Sequence, residues 1–435
     1  MRRGQTTTTA KTKCGGSSTA AAKAPPPVGM TTSNFAKAKA MVVAGVMSGT
    51  SADGVDVALC RIAQGGREGD WPRVKLIGLL ETAYPRLVRA AVLRVMEGEA
   101  VTAAEMSRLN WRLGEIYAGC VEKAAEIFGV RVGLVGCHGQ TVHHETRGRR
   151  ALGAGVRSAG RSTTWQMGEA AAVAERMRCP VVSDFRPADL AAGGEGAPLV
   201  PMLDYCLFRS AKVGRVLLNL GGIANLTAIP AGAGLDSVMA FDTGPGNMVV
   251  DRCMATLFGR KFDRNGAVAR RGRVLRGVVA RLLRERYFAA AAPKSCGREE
   301  FGAGFAERLI AMCREAGGTD ADVVATATAL TAESVVGAYR GFVVPHFGAG
   351  LSAKVEICVA GGGAKNGTLM GMLRAGFAEM GVRVRAMEEL GVPAQAKEGV
   401  AFALLAWLTW NGRAGNVPAA TGAKKAVVLG KVSFG

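Results

Sequence analysis

Histidine is scarce in this chain, and acidic residues are missing from its start. Four histidines (His138, His143, His144, His346) occur among 435 residues, so a histidine-built metal centre has little material. The ten cysteines fall singly between Cys14 and Cys358, without a C-x-x-C pair. That scatter excludes a zinc-ribbon pattern and fits reduced, buried thiols better than a disulfide framework. Aromatic residues make up only 6%, and no basic run is interleaved with them. The net charge of +20 therefore reads as a generally basic surface rather than a nucleic-acid footprint. No apolar run reaches the roughly 18–20 residues that span a bilayer. The longest, Gly399 to Trp410, is expected as a buried core helix. No loop fits G-x-x-x-x-G-K-[ST], so a P-loop nucleotide site is disfavoured.

The first acidic residue is Asp53, and residues 1–40 stand apart from the rest. They are rich in Thr, Ser and Ala, carry Lys and Arg, and include a proline triplet. Such a stretch cannot bury a core and lacks the apolar centre of a secretory signal. Two readings stay open: an organellar transit peptide (plastid or mitochondrial), or a disordered tail ahead of a start at Met30 or Met41. Without targeting, the expected location is the cytoplasm, with no membrane or nucleic-acid partner.

From Val42 onward the chain alternates strands and helices, as expected of an α/β protein. "VVAGVM" and "VDVALC" read as strands around the loop SGTSADG. Val74–Thr82 reads as a third strand, and Ala104–Gly129 as an amphipathic helix. Val132–Thr141 reads as a strand that ends in a glycine-flanked turn. The Gly- and Arg-rich stretch after it, Arg147 to Arg161, reads as an exposed insertion. The second half reopens with the same idea, two strands around Gly221-Gly222 in Arg215–Pro230. A strand to Asp242, a Gly-Pro-Gly-Asn turn and a helix follow; Lys354–Phe377 is strand, triple glycine, helix. The expected division is an extension at 1–40, a first α/β domain at 41–212 and a second at 213–435.

The loop Gly49, Thr50, Ser51, Ala52, Asp53, Gly54, Val55, Asp56 is longer and richer in hydroxyls than a two-residue hairpin turn requires. Its composition suits a bend around an anion, with backbone N–H groups turned inward and a carboxylate near a metal ion. Gly221 and Gly222 could grip phosphate in the same way. Gly361, Gly362 and Gly363, followed by Asn366, let backbone approach a flat nucleotide and aim a helix N-terminus at an anion. Asp242, at the end of an apolar strand where α/β sheets bind ligands, is the candidate base; a helix N-cap role is its structural alternative. The duplicated layout resembles the actin-like (RNase H-like) ATPase and sugar-kinase superfamily, in which two α/β domains lie around a nucleotide cleft.

The segments "GVMSGTSADGVDVAL", "GCHGQTVHHE", "SDFRPADLAAGGEGAPLVP", "LNLGGIANLT", "FDTGPGNMVVD", "APKSCGREEF", "VAGGGAKN", "AKEGVAFALLAW" and "PAATGAKKAVVLGKV" run in order from Val42 to Gly435. Together they resemble the anhydro-N-acetylmuramic acid kinase family. The resemblance implies an ATP- and Mg²⁺-dependent enzyme that opens the 1,6-anhydro ring with water and phosphorylates O6, in peptidoglycan and amino-sugar recycling. It implies that Asp242 activates the water and that Gly49–Asp56 holds the ATP phosphates; within that loop Asp53 and Asp56 are the candidates for Mg²⁺ and for bracing the loop, Asp53 first. It also places His138, Gln140, Thr141, Gln166, Arg186, Asp189 and Glu398 near the sugar, each with a buried loop-bracing role as the alternative. Lys294 and Arg298 could face an anionic group, the lactyl carboxylate or a phosphate, with pairing to Glu299 as the alternative, and family members resemble homodimers. Glu195, Cys137, Cys296 and Glu169 depart from the family's usual residues, which bears on substrate more than on kinase chemistry. The alternatives are a kinase for another amino sugar or anhydrosugar, or a non-catalytic nucleotide-binding relative.

Overall fold

The computed structural model describes residues 9–11, 40–65, 71–145, 162–292, 294–348, 354–390 and 393–435. The reading of residues 1–40 thus falls almost wholly outside the described residues, as does the Arg147–Arg161 insertion. Within the extension, Thr9–Lys11 forms a short strand, β1.

The chain divides into two units, residues 1–207 with 396–435, and residues 208–395. In the first, β2 (Met41–Ser48), β3 (Gly54–Ala63) and β4 (Arg73–Ala83) form an antiparallel meander. β5 (Leu134–Glu145) then lies parallel to β2, β6 (Thr163–Met167) pairs antiparallel with β5, and β7 (Val181–Ser183) continues parallel beyond β5. β1 lies parallel on the free edge of β4. β5 runs past the expected turn at Gly139 and carries His143 and His144 on its last residues, because pairing with β6 extends it.

In the second unit, β8 (Val213–Leu220), β9 (Ile223–Ile229) and β10 (Met239–Pro245) repeat the antiparallel meander. β11 (Lys354–Ala360) lies parallel to β8, and β12 (Arg383–Ala386) lies parallel to β11. With β1, β6 and β13 set aside, both sheets share one order: third, second, first, fourth and fifth strand, with the second antiparallel to its neighbours. This is a duplicated actin-like, RNase H-like arrangement.

Local chemistry explains the elements. The helix Ala103–Ile127 starts at a capping box, in which Thr102 and Glu105 satisfy each other's backbone N–H. It buries Leu109, Leu113, Tyr117, Val121 and Ala124, one stripe at helical spacing. In the second unit Thr319 and Asp322 cap the helix Asp320–Ala338 in the same way, and nearly all of that helix is buried.

The C-terminal segment, expected in the second domain at 213–435, groups with the first unit from Ala396 onward. The helix Lys397–Trp410 belongs to the first unit and packs on its sheet. Its apolar residues leave no polar face, and Trp407 is fully buried. Full burial of each large apolar side chain contributes about 1.5–3 kcal/mol, so the return of this helix is strongly driven. Close approach requires glycine: a Cβ on Gly45 of β2 would stand 1.8 Å from the carbonyl oxygen of Gly399. The last strand, β13 (Lys431–Ser433), then pairs antiparallel with β7. No helix among the described residues is long and apolar enough to cross a membrane.

Candidate active site

Asp242 lies on β10 opposite Asn225, at a register shift between Asp242 and Gly244 that re-aims the strand end. The next helix, Asn247–Phe258, begins after Gly246. The N–H groups of Gly246, Asn247 and Met248 donate to the carbonyls of Gly222, Gly221 and Gly222 at 2.9, 2.8 and 3.0 Å. The Gly221-Gly222 hairpin and the Gly-Pro-Gly-Asn turn are thus locked face to face. A Cβ on Gly246 would stand 2.3 Å from the Gly221 oxygen, so only glycine permits that contact. Asp242 is not the cap of this helix: Gly246 holds that position, and the carboxylate is used elsewhere.

Its Oδ2 accepts the main-chain N–H of Cys296 at 2.9 Å. The Asp242 N–H donates to Lys294 O at 3.0 Å, and its carbonyl accepts the Tyr287 hydroxyl at 2.8 Å. Burial raises the carboxyl to about 6; the Cys296 hydrogen bonds and Lys294 pull it down, and Glu300 pushes it up. A carboxylate tuned there is mostly ionised at neutral pH yet basic enough to take a proton. Sequence reading did not reach Tyr287 or the Cys296 N–H, and no local pattern marks either. The Lys294 ammonium makes no ion pair with a carboxylate among the described residues, although its charge is felt by Asp242. It donates to the carbonyls of Tyr287 and Phe288 at 3.0 and 3.2 Å, among the rings of Tyr287, Phe342 and Phe241.

The triple-glycine turn follows β11 as Gly361 and a 3₁₀ turn at Gly362–Lys365. Two of the N–H groups of the helix N-terminus beyond it are already taken by side chains. Asn366 accepts from Leu369 N at 3.0 Å, and Asn265 accepts from Gly367 N at 3.1 Å. Asn366 is a side-chain N-cap, a role that an Asn just before an apolar helix signals. Gly361 and Gly362 keep surface open on the turn itself.

In the first unit the loop after β2 is braced from below. Ser48 Oγ lies 2.9 Å from Gly54 O and 2.6 Å from Gln140 Oε1, and accepts the Tyr84 hydroxyl at 2.8 Å. The Gln140 amide donates to Gly49 O at 3.2 Å. Gln140 has no exposed surface, and its side chain braces this loop. Ala52 and Val55 are buried in the core, so they offer only their main chain. Thr50, Ser51 and Asp53 are exposed at the tip, with Asp53 Oδ1 3.1 Å from Arg89. Gly54 and Asp56 are half-buried at the start of β3.

The other candidates surround His138. Its Nδ1 lies 2.7 Å from Gly139 O, and its Nε2 accepts from Arg186 Nε and Nη2 at 3.1 and 2.9 Å. Burial first, and the Arg186 charge second, hold the imidazole neutral, far below its ordinary range. Arg186 also donates to Gly196 O at 2.7 Å, and burial lowers it to about 10. Glu398 keeps exposed surface in the first turn of its helix. Enough protein still surrounds it to raise its carboxyl, against the pull of Arg186 and Lys397. Thr141 accepts from the Gln166 amide at 3.3 Å. Asp189 is fully buried and accepts from Asn416, Thr421 and the Gly196 N–H, which makes it a scaffold residue. Glu195 accepts the Ser162 hydroxyl.

No group of three or more His, Cys, Asp and Glu is placed to hold a metal among the described residues. Mg²⁺ usually keeps its waters and takes one or two carboxylates plus substrate phosphates, a donor set that the exposed Asp53 carboxylate fits.

The model of the anhydro-N-acetylmuramic acid kinase family matches residues 41–435. A relative of that name from Caldanaerobacter subterraneus subsp. tengcongensis is 40% identical over 399 residues, covering 90% of this chain and 97% of its own. Another from Gloeobacter violaceus is 42% identical over 391 residues, covering 89% and 97%. Among solved structures, the ROK hexokinase from Thermus thermophilus is similar at 15% identity and a TM-score of 0.36, over 85% of this chain and 98% of its own.

Proposed function

This chain belongs to the anhydro-N-acetylmuramic acid kinase family, and from that premise we propose that Asp242 is the base of its reaction. The enzyme opens the 1,6-anhydro ring of 1,6-anhydro-N-acetylmuramic acid and phosphorylates O6 with ATP. The product is N-acetylmuramic acid 6-phosphate. The observation that carries the role of Asp242 is its carboxylate, held by Cys296 through its backbone N–H and raised to about 6 by burial.

Asp242 takes a proton from water as the water oxygen bonds to the anomeric carbon. The C1–O6 bond breaks, and O6 leaves with the electron pair. That oxyanion attacks the γ-phosphorus of ATP, and ADP departs. The proton on Asp242 is returned to solvent. Ring opening thereby creates the phosphoryl acceptor at the moment that it is needed, and positioning supplies most of the catalysis.

Residues of the first unit divide the remaining work. The exposed main chain and hydroxyls of Thr50 and Ser51, on a loop braced by Ser48, Gln140 and Tyr84, hold the ATP phosphates. Asp53 would hold Mg²⁺, which when bound neutralises phosphate charge. Arg186, fixed on the neutral His138, and Glu398 contact the sugar. In the second unit Gly361 and Gly362 line the nucleoside side, while the Gly221-Gly222 carbonyls fix the Asp242 turn.

The test is ADP release by the purified chain with ATP, Mg²⁺ and either the anhydro sugar or ring-opened N-acetylmuramic acid. Turnover with the anhydro sugar alone is expected. Turnover of the open sugar alone would replace this reading with a conventional sugar kinase.

A further inference from the structure

The ammonium of Lys294 sits among three aromatic rings, 4.8 Å from the centroids of Tyr287 and Phe342 and 5.8 Å from that of Phe241. Two backbone carbonyls, Tyr287 O and Phe288 O, accept from it at 3.0 and 3.2 Å. A cation so enclosed is attracted by the ring faces and hydrogen-bonded to carbonyl dipoles, which offsets the loss of its hydration. No carboxylate forms an ion pair with it among the described residues.

The groups fastened by this lysine are the ones that hold the base. Lys294 O accepts the Asp242 N–H, and the Tyr287 hydroxyl donates to the Asp242 carbonyl. Two residues beyond Lys294, the Cys296 N–H donates to Asp242 Oδ2. Phe241, the chain neighbour of Asp242, forms one wall of the cage. Tyr287, Phe288 and Phe301 also pack on one another, with ring centroids 5.2–5.7 Å apart.

We propose that Lys294 is a positioning residue for Asp242: its ammonium fastens Tyr287 and Phe288 to the Lys294–Cys296 turn, making a bracket that grips the base by its amide, its carbonyl and its carboxylate. The role rests on the reading of Asp242 as the base. It also explains why a lysine so near the reacting carboxylate does not pair with it. A direct ion pair would hold the carboxylate ionised and make it a poor proton acceptor. The charged and titratable groups facing Asp242 are Lys294, Cys296, Tyr287 and Glu300.

Lys294→Met keeps the apolar stem and removes the charge. The expected result is a fall in kcat of roughly 10- to 100-fold, the scale of a small misplacement of a catalytic group. KM for ATP and for the sugar should stay within about twofold, because nothing that binds either is removed. The acid limb of the kcat profile should move to higher pH, since a nearby positive charge has gone. Lys294→Arg, which restores the cation, should recover part of kcat.

A folded Lys294→Met enzyme with unchanged kcat and acid limb would overturn the proposal. So would a loss confined to KM, which would make Lys294 a ligand for an anionic substrate group. Should Lys294→Met not fold, Tyr287→Phe decides, because it deletes only the hydroxyl that bonds the Asp242 carbonyl and the Cys296 side chain. A smaller kcat loss at unchanged KM is expected there, and wild-type kinetics would end the proposal. Full activity in Asp242→Asn would instead defeat the base assignment, whatever the lysine variants do.

Discussion

The N–H of Cys296 donates to Oδ2 of Asp242 at 2.9 Å, and it is the strongest influence holding down a carboxyl that burial has lifted to about 6. A general base must be ionised to act, so kcat should fall about tenfold per pH unit below about pH 6 and level off above it. Asp242→Asn keeps the hydrogen bond and abolishes the base. A loss of about 10²- to 10⁴-fold in kcat is expected. The measurement is a steady-state pH profile with ATP binding checked independently, and wild-type turnover in the variant would refute the role.

The same residue should cost stability. Its folded pKa lies above the unfolded value, so the folded state binds the extra proton between about pH 4 and pH 6. Stability contributed by this group therefore falls as pH rises through that window and stays reduced above it. Asp242→Asn, which carries no charge to desolvate, should be more stable at pH 7 by up to about 3 kcal/mol. The gain should vanish near pH 4. Thermal melts of both proteins across that range would show it, and an equal gain at all pH values would rule out desolvation as the cause.

Much of this site is legible before any fold is known, because its turns need particular residues. Gly246 must lack a side chain to meet Gly221, and glycine pairs at strand ends are visible in a sequence. Asn366 could have been read as an N-cap from its place before an apolar helix. Other relationships leave no local trace. Thr421 reaches Asp189 across 232 residues, and Cys296 reaches Asp242 across 54. The helix Lys397–Trp410 announces burial by lacking a polar face, but not the sheet that it covers. Its partner depends on Gly45 and Gly136, two small residues that nothing local distinguishes from other strand glycines.

Arg186 tests the sugar side. Its guanidinium reaches His138 Nε2 and Gly196 O together, a span that a single ammonium cannot reproduce. Arg186→Lys should raise KM for the anhydro sugar by about tenfold, the worth of one charge-assisted hydrogen bond. KM for ATP should not change. A variant altered in ATP affinity alone would place Arg186 elsewhere in the chemistry.

Gly45→Ala tests the seating of the C-terminal helix. The added methyl would stand 1.8 Å from Gly399 O, and backbone on both sides prevents a local adjustment. Destabilisation of about 3 kcal/mol is expected, at the upper end for overpacking. Gly119→Ala is the control in the same unit, since its Cβ would meet only Arg176, at ordinary contact distance. In a helix interior that change should stabilise by about 0.5–1 kcal/mol. Equilibrium unfolding separates the two, and equal effects would discard the close-approach argument.

Gln140 gives the sharpest test of how the loop after β2 is held. Its amide oxygen receives Ser48, its amide nitrogen donates to Gly49 O, and none of it meets solvent. Gln140→Leu keeps the volume but leaves the Gly49 carbonyl without its amide donor, at about 1–3 kcal/mol for the unsatisfied group, while Ser48 keeps Gly54 O and Tyr84. The loop tip would then sample other conformations, and ATP would have to order it on binding. KM for ATP should rise by about tenfold while KM for the sugar stays unchanged. Ser48→Ala should repeat the effect more weakly, because Tyr84 still packs beneath the loop. A Gln140→Leu enzyme that instead loses sugar affinity and keeps ATP affinity would return Gln140 to the substrate contacts and leave the loop without its proposed brace.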